Sequence, residues 1–137
     1  MTPFGQPAAF RLEIEVCLPE ALDPARGGPL RLVSVAGGKV SGLIEGRILP
    51  GGADWQTIRP DGTIEIDARY LVELTDGARV EVVNRGLRAP DASGFWSSIW
   101  LRCEAPAHAA LGRTIYVAFG RKLPEGVVIE AYAPPGG

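Results

Sequence analysis

The chain has 137 residues, 46% hydrophobic and 22% charged, with a net charge of −2. That length suits one globular domain that can bury a core without staples. The absence of a basic run or basic–aromatic patch argues against nucleic acid as a partner, and the apolar runs are too short to cross a membrane as helices, so no membrane partner is expected.

The N-terminal MTPFGQPAAF has no charged stretch leading into an apolar run, so no signal peptide is expected and a cytoplasmic setting is. Residues 1–8 and 134–137 read as flexible ends of a single domain over 1–137. FRLEIEVC, Phe10 to Cys17, alternates with period two: Phe10, Leu12, Ile14 and Val16 share one face, and Arg11, Glu13 and Glu15 the other. This is a half-buried strand. LPEALDPARGGP follows as an irregular connection. LRLVSVA and KVSGLIEGRIL flank Gly37-Gly38, which reads as a tight hairpin turn. Gly42 and Gly46 in the second run predict a bend or bulge.

Pro50-Gly51-Gly52 breaks the chain, DWQTI resumes it, and Asp61-Gly62 marks another turn. TIEIDARYLVEL is a long β-rich run ending at Asp76-Gly77, and ARVEVVNRG returns from it. A two-residue Asp-Gly turn would pair Thr75 with Ala78, Tyr70 with Val83 and Arg69 with Asn84. Glu65, Asp67 and Arg69 then share a face with Val82 and Asn84; Ile64, Ile66, Ala68 and Tyr70 share the other with Val83 and Arg85. A slip of one residue would exchange these partners. LRAPDASGF reads as a polar loop. WSSIWLRC, TIYVAFG and GVVIEAYA read as three more strands, with APAHAALG a short helical turn stopped at Gly112.

Nine or ten short strands spaced by Gly, Pro and Asp-Gly turns predict an all-β fold. The architecture expected is a single closed antiparallel β-barrel of about eight to ten strands, able to hold one small ligand. Cys17 and Cys103, the only cysteines, are far apart and without metal-like spacing; both are expected as buried free thiols. His108, the only histidine, is expected at the surface or in packing. No phosphate loop, nucleotide fingerprint or metal motif is present, so neither cofactor nor metal is expected.

The candidate site gathers around the sharp glycine turn. Asp54 is a candidate general base, because a carboxylate in an apolar pocket can hold or take a proton near neutrality. Trp55 offers a flat apolar wall and Gln56 a polar neighbour. Arg69 would grip a carboxylate or enolate oxygen with Asp67 orienting it, and Tyr70 with Asn84 and Arg85 would steady an oxyanion. Trp96 belongs to a candidate lid or dimer surface. Each has a plainer alternative: Asp54 as a turn cap, Trp55 and Tyr70 as core, and Asp67–Arg69 as a solvent-facing ion pair.

The ordered motifs Pro50-Gly51-Gly52-Ala53-Asp54-Trp55-Gln56, Arg59-Pro60-Asp61-Gly62, Asp67-Ala68-Arg69-Tyr70, Asp76-Gly77 and Asn84-Arg85-Gly86 carry a further signal. With GRTIYVAFGRKLPEGVVIEAY they make the chain resemble domain-of-unknown-function family 3237, also called uncharacterised protein family 0311. The resemblance implies a compact antiparallel β-barrel, a homo-oligomer and a role in small-molecule metabolism. The chain departs from the family pattern in FWSSIWLRCEAPAHAALG, where members often carry an aromatic, Arg-Thr-rich segment.

The function expected is a cofactor-independent enzyme doing proton-transfer chemistry, such as isomerisation, cyclisation, elimination or hydration, on a carbonyl or carboxylate compound. Asp54, Arg69 and Tyr70 are its expected catalytic residues. Trp55, Gln56, Asp67, Asn84, Arg85 and Trp96 are the expected substrate-binding set. The alternatives are a lipocalin-like binding protein and a structural oligomeric barrel.

Overall fold

The computed structural model describes residues 2–22 and 29–136. Its strands are β1 (Phe10–Val16), β2 (Glu20–Ala21), β3 (Leu30–Gly42), β4 (Gly46–Ile48), β5 (Ala53–Ile58), β6 (Ile64–Leu74), β7 (Arg79–Arg88), β8 (Gly94–Arg102), β9 (Tyr116–Leu123) and β10 (Gly126–Tyr132). All pairings are antiparallel, and β1 pairs with both β10 and β3, which closes the sheet. The result is a closed eight-stranded barrel with extra strand segments, as the turn spacing predicts.

β4 and β5 together form one stave, because both pair with β3 and with β6. The Leu49–Gly52 turn between them is the sharp break anticipated at the double glycine. Gly52 lies flush on β6: a Cβ there would collide with the Arg69 carbonyl and the Tyr70 side chain. The short β2 pairs with β3 and was not visible in the sequence. Residues 23–28, half of the irregular connection read over 18–29, lie outside the described residues.

Period-two alternation sets the inside of the barrel. Leu12, Ile14, Val35, Ala68, Tyr70, Val72, Val82, Ile99, Ala118 and Ile129 all belong to one buried cluster. One end is closed by the 3-10 helix Pro106–Arg113, whose Leu111 joins that cluster, while Tyr116 meets Phe10 edge-on at 5.0 Å. This is the helical turn expected from APAHAALG, extended past Gly112.

Three local expectations are corrected. Gly37-Gly38 is no turn: both lie inside β3, opposite Glu15 and Ile14, at a bulge where pairing shifts between Glu15 and Val16. The chain instead reverses after Gly42, where φ is 111°, and re-enters at Gly46. The β6–β7 hairpin is offset by one residue: Arg69 pairs with Val83, Tyr70 with Val82 and Ala68 with Asn84. Its loop holds three residues, Thr75-Asp76-Gly77, with Gly77 at φ 89°, the geometry of a type I turn closed by a left-handed glycine. Finally, the polar loop expected over 87–95 shrinks, because β7 runs to Arg88 and β8 starts at Gly94.

Cys17 and Cys103 are free, as expected, but Cys17 is exposed and Cys103 only partly buried. His108 is bonded through Nε2 to Asp76 Oδ2 at 2.6 Å, which ties the closing 3-10 helix to the β6–β7 turn. No helix among the described residues is long and apolar enough to cross a membrane.

Candidate functional site

The end opposite the 3-10 helix opens into a cavity of about 280 Å³. Its rim comes from the segment after β1, the start of β3, the β7–β8 turn and the β9–β10 turn. Its walls are apolar, with Ile14, Val33, Val35, Ile66 and Ile129 among them and Phe95 to one side. Phe95 lies flat over Gly120, where any side chain would collide with its ring.

Strand alternation carries Asp54 and Gln56 of β5 into this cavity and turns Trp55 out. Asp54 is held from two sides. The Asp67 backbone N–H donates to its Oδ1 at 2.9 Å, and Gln56 Nε2 donates to its Oδ2 at 2.6 Å. Arg31 Nε donates in turn to Gln56 Oε1 at 2.6 Å. A line of hydrogen bonds therefore runs from a guanidinium through an amide to a carboxylate. Burial raises the Asp54 carboxyl above the ordinary carboxylate range; the bonds from Gln56 and the Asp67 backbone pull against the rise.

Tyr70 and Asn84 line the same cavity from β6 and β7. They are 4% and 1% exposed, yet Tyr70 Oη and Asn84 Oδ1 have no hydrogen-bond partner among the described residues. Buried polar atoms are almost always satisfied, so two such atoms in one cavity are unusual. Burial, reinforced by the Asp54 charge, pushes the Tyr70 phenol far above its ordinary range, so its proton stays on the oxygen as a donor.

Of the candidate residues, the barrel therefore brings Asp54, Gln56, Tyr70 and Asn84 together inside. It turns the others out. Arg69 is on the outer face, 3.9 Å from Glu81, with its side chain 57% exposed. Arg85 Nε is 4.0 Å from Asp67 Oδ1 on that face. Trp96 packs edge-on against Phe119 at 4.9 Å on the outside. The expectation that Trp55, Asp67 and Arg69 line the cavity is corrected, since odd positions of β5 and β6 point away from the core; Asp67 contributes through its backbone N–H alone. The one-residue hairpin offset explains Asn84 and Arg85: it moves Asn84 to Tyr70's face and Arg85 to Asp67's.

The sequence reading missed Arg31, Arg88 and Lys122, all of which line the cavity. A signal for the first existed, since Arg31 alternates with Val33 and Val35, which places a charge on the apolar face of a strand. Among the described residues, no three of His, Cys, Asp and Glu gather into a group that could hold a metal.

Comparison with known proteins agrees with this architecture. The chain is 33% identical to a UPF0311 protein of Clostridium acetobutylicum, over 77% of each. A crystal structure of a protein with unknown function from the same organism superposes with a TM-score of 0.85 at 32% identity, covering 92% of this chain and 96% of that one. A β-barrel-like protein from Acinetobacter baumannii gives a TM-score of 0.85 at 25% identity, covering 97% of both. The profile of the family described as "Protein of unknown function (DUF3237)" matches residues 7–133, which include every strand of the barrel, and the chain belongs to that family.

Proposed function

We propose that the barrel is a cofactor-independent enzyme that moves a proton on a small carbonyl or carboxylate compound, in a reaction such as isomerisation, cyclisation, elimination or hydration. The observation that carries this reading is the trio inside the cavity. A carboxylate with a raised affinity for protons stands in one apolar chamber with two buried oxygens, Tyr70 Oη and Asn84 Oδ1, that lack partners among the described residues. Asp54 as carboxylate would take the proton from a carbon beside a carbonyl. The electron pair of the broken C–H bond would move to the carbonyl oxygen, and Tyr70 O–H would donate to the oxyanion that forms. Asn84 would fix a second polar atom of the substrate. Asp54 would then return the proton at another position. Arg69 has no part in this scheme because it faces away.

The test is solvent deuterium exchange into a panel of small ketones, enones and keto acids, followed by NMR. Wild type is expected to exchange at least one class at the carbon beside the carbonyl. Asp54→Asn is expected to slow that exchange by roughly 10²–10⁴-fold while retaining the fold and binding. Exchange that continues unchanged in Asp54→Asn removes the reading. The largely apolar lining also favours a second reading, a carrier with no turnover; binding without exchange in any class supports it.

The same proposal sets the protein in the cytoplasm as a homo-oligomer. The free Cys17 and Cys103 support the former. The exposed Trp55, Leu87 and Trp100, together on the outer face of β5, β7 and β8, support the latter.

A further inference from the structure

Three cations stand at the cavity: Arg31 and Arg88, both half-buried, and the exposed Lys122. None of them forms an ion pair among the described residues, although eight pairs between Lys or Arg and Asp or Glu occur elsewhere on the barrel. The two arginines are held in the same way. Arg31 Nε donates to Gln56 Oε1 at 2.6 Å, and Arg88 Nε donates to the Ala92 carbonyl at 3.1 Å. Both acceptors are neutral, so neither cancels the positive charge. In each case Nε alone is engaged, which orients the guanidinium and leaves its terminal nitrogens without an acceptor among these bonds. An arginine fixed this way is prepared to grip an oxyanion with its outer edge.

The opposing charges are two. Glu125 is exposed on the β9–β10 turn, and Asp54 lies on β5, where burial raises its pKa and the Arg31 charge works the other way. Neither forms an ion pair with the three cations among the described residues. The cavity thus offers positive charge at the rim, apolar walls and hydrogen-bonding groups within.

We propose that this cavity selects amphipathic carboxylates, with the carboxylate held at the mouth by Arg88, Arg31 and Lys122 and the apolar body lying inward toward Tyr70 and Asn84. This rests on the proton-transfer reading of the same cavity and names its substrate class. A substrate so held would carry its reacting carbonyl at the end remote from the acid.

The test is calorimetric titration of the full chain with three probes of one shape: hydrocinnamate, hydrocinnamyl alcohol and phenylpropylamine. Hydrocinnamate is expected to bind roughly tenfold or more tighter than the alcohol, the usual worth of a hydrogen bond to a charged group, with the amine weakest. Arg88→Gln is expected to lose about that factor for the acid and nothing for the alcohol. Lys122→Gln, an exposed change that leaves the core alone, is expected to lose a smaller factor and to reduce the salt dependence of acid binding. An alcohol or amine that matches the acid, failure of all three to bind, or an acid preference undiminished in both variants would overturn the proposal. Its failure is separable from that of the enzyme reading. Acid preference with exchange unchanged in Asp54→Asn removes only the proton transfer. Exchange lost in Asp54→Asn without acid preference removes only the carboxylate rim.

Discussion

Asp54 carries the greatest consequence of any single side chain, and its titration should be visible in stability. Burial raises its folded-state pKa above the ordinary carboxylate range. A raised carboxyl binds more protons folded than unfolded, so stability is highest below the unfolded value and declines as pH rises through the folded one. Asp54→Asn removes that slope. The stability of Asp54→Asn relative to wild type should therefore increase between about pH 4 and neutrality, in urea unfolding at a series of pH values. A difference that stays flat or decreases would mean that the hydrogen bonds from Gln56 and the Asp67 backbone outweigh desolvation. At the same scale, the plain reading of Asp67 and Arg69 as a solvent-facing pair is close to what the barrel shows, except that each finds its partner across a strand, Arg85 for Asp67 and Glu81 for Arg69.

Among the elements, the β4–β5 joint decides whether Asp54 reaches the cavity at all. Gly52 ends the turn with its Cα so close to β6 that a Cβ would meet Arg69 and Tyr70, and the Val35 N–H donates to its carbonyl at 2.8 Å. Gly52→Ala would push β5 off β6, and overpacking of this kind costs about 1–3 kcal/mol. Gly112→Ala is the control, since a Cβ there meets only the Leu101 carbonyl at an ordinary 3.5 Å. Gly52→Ala is expected to melt lower and to lose affinity for any ligand of the cavity, while Gly112→Ala matches wild type in both. Equal behaviour of the two would show that the joint yields easily. Elements of this kind were only partly legible in the sequence. Alternation in Phe10–Val16 and Ile64–Leu74 identifies those strands because one face is apolar throughout. Register was not legible, because Asp-Gly serves two-residue and three-residue loops alike with a left-handed glycine in both; what separates them is Asp76, which lacks the positive φ that a two-residue I′ turn demands. Gly37-Gly38 misled for a related reason: paired glycines suit a turn, but also a bulge where a neighbouring strand crosses closely, and the Glu13 carbonyl fills the space a Cβ at Gly38 would need.

Across the whole molecule, the barrel separates its functions between its two ends. The site could not be read in full from the chain, because Arg31, Asp54, Arg88 and Lys122 sit on four strands and meet only when β1 closes on β3 and β10. What alternation did provide was the side of the sheet each residue occupies, and closure turns that side into the cavity wall. The other end is packing. Leu111, 7% exposed, reaches from the 3-10 helix into the core cluster, and the cavity does not include it. Leu111→Ala is therefore expected to destabilise the domain by about 2–4 kcal/mol, the usual cost of removing a buried leucine side chain, as measured by urea unfolding. The affinity for an anionic probe at the open end should stay within twofold of wild type when measured well below the unfolding transition, since mutations without shared partners act independently. Arg88→Gln should show the reverse pattern, with affinity lost and stability nearly unchanged. If Leu111→Ala weakens binding as much as Arg88→Gln does, the closed end is mechanically coupled to the cavity, and the barrel works as one deformable unit instead of a rigid cup with a plugged base.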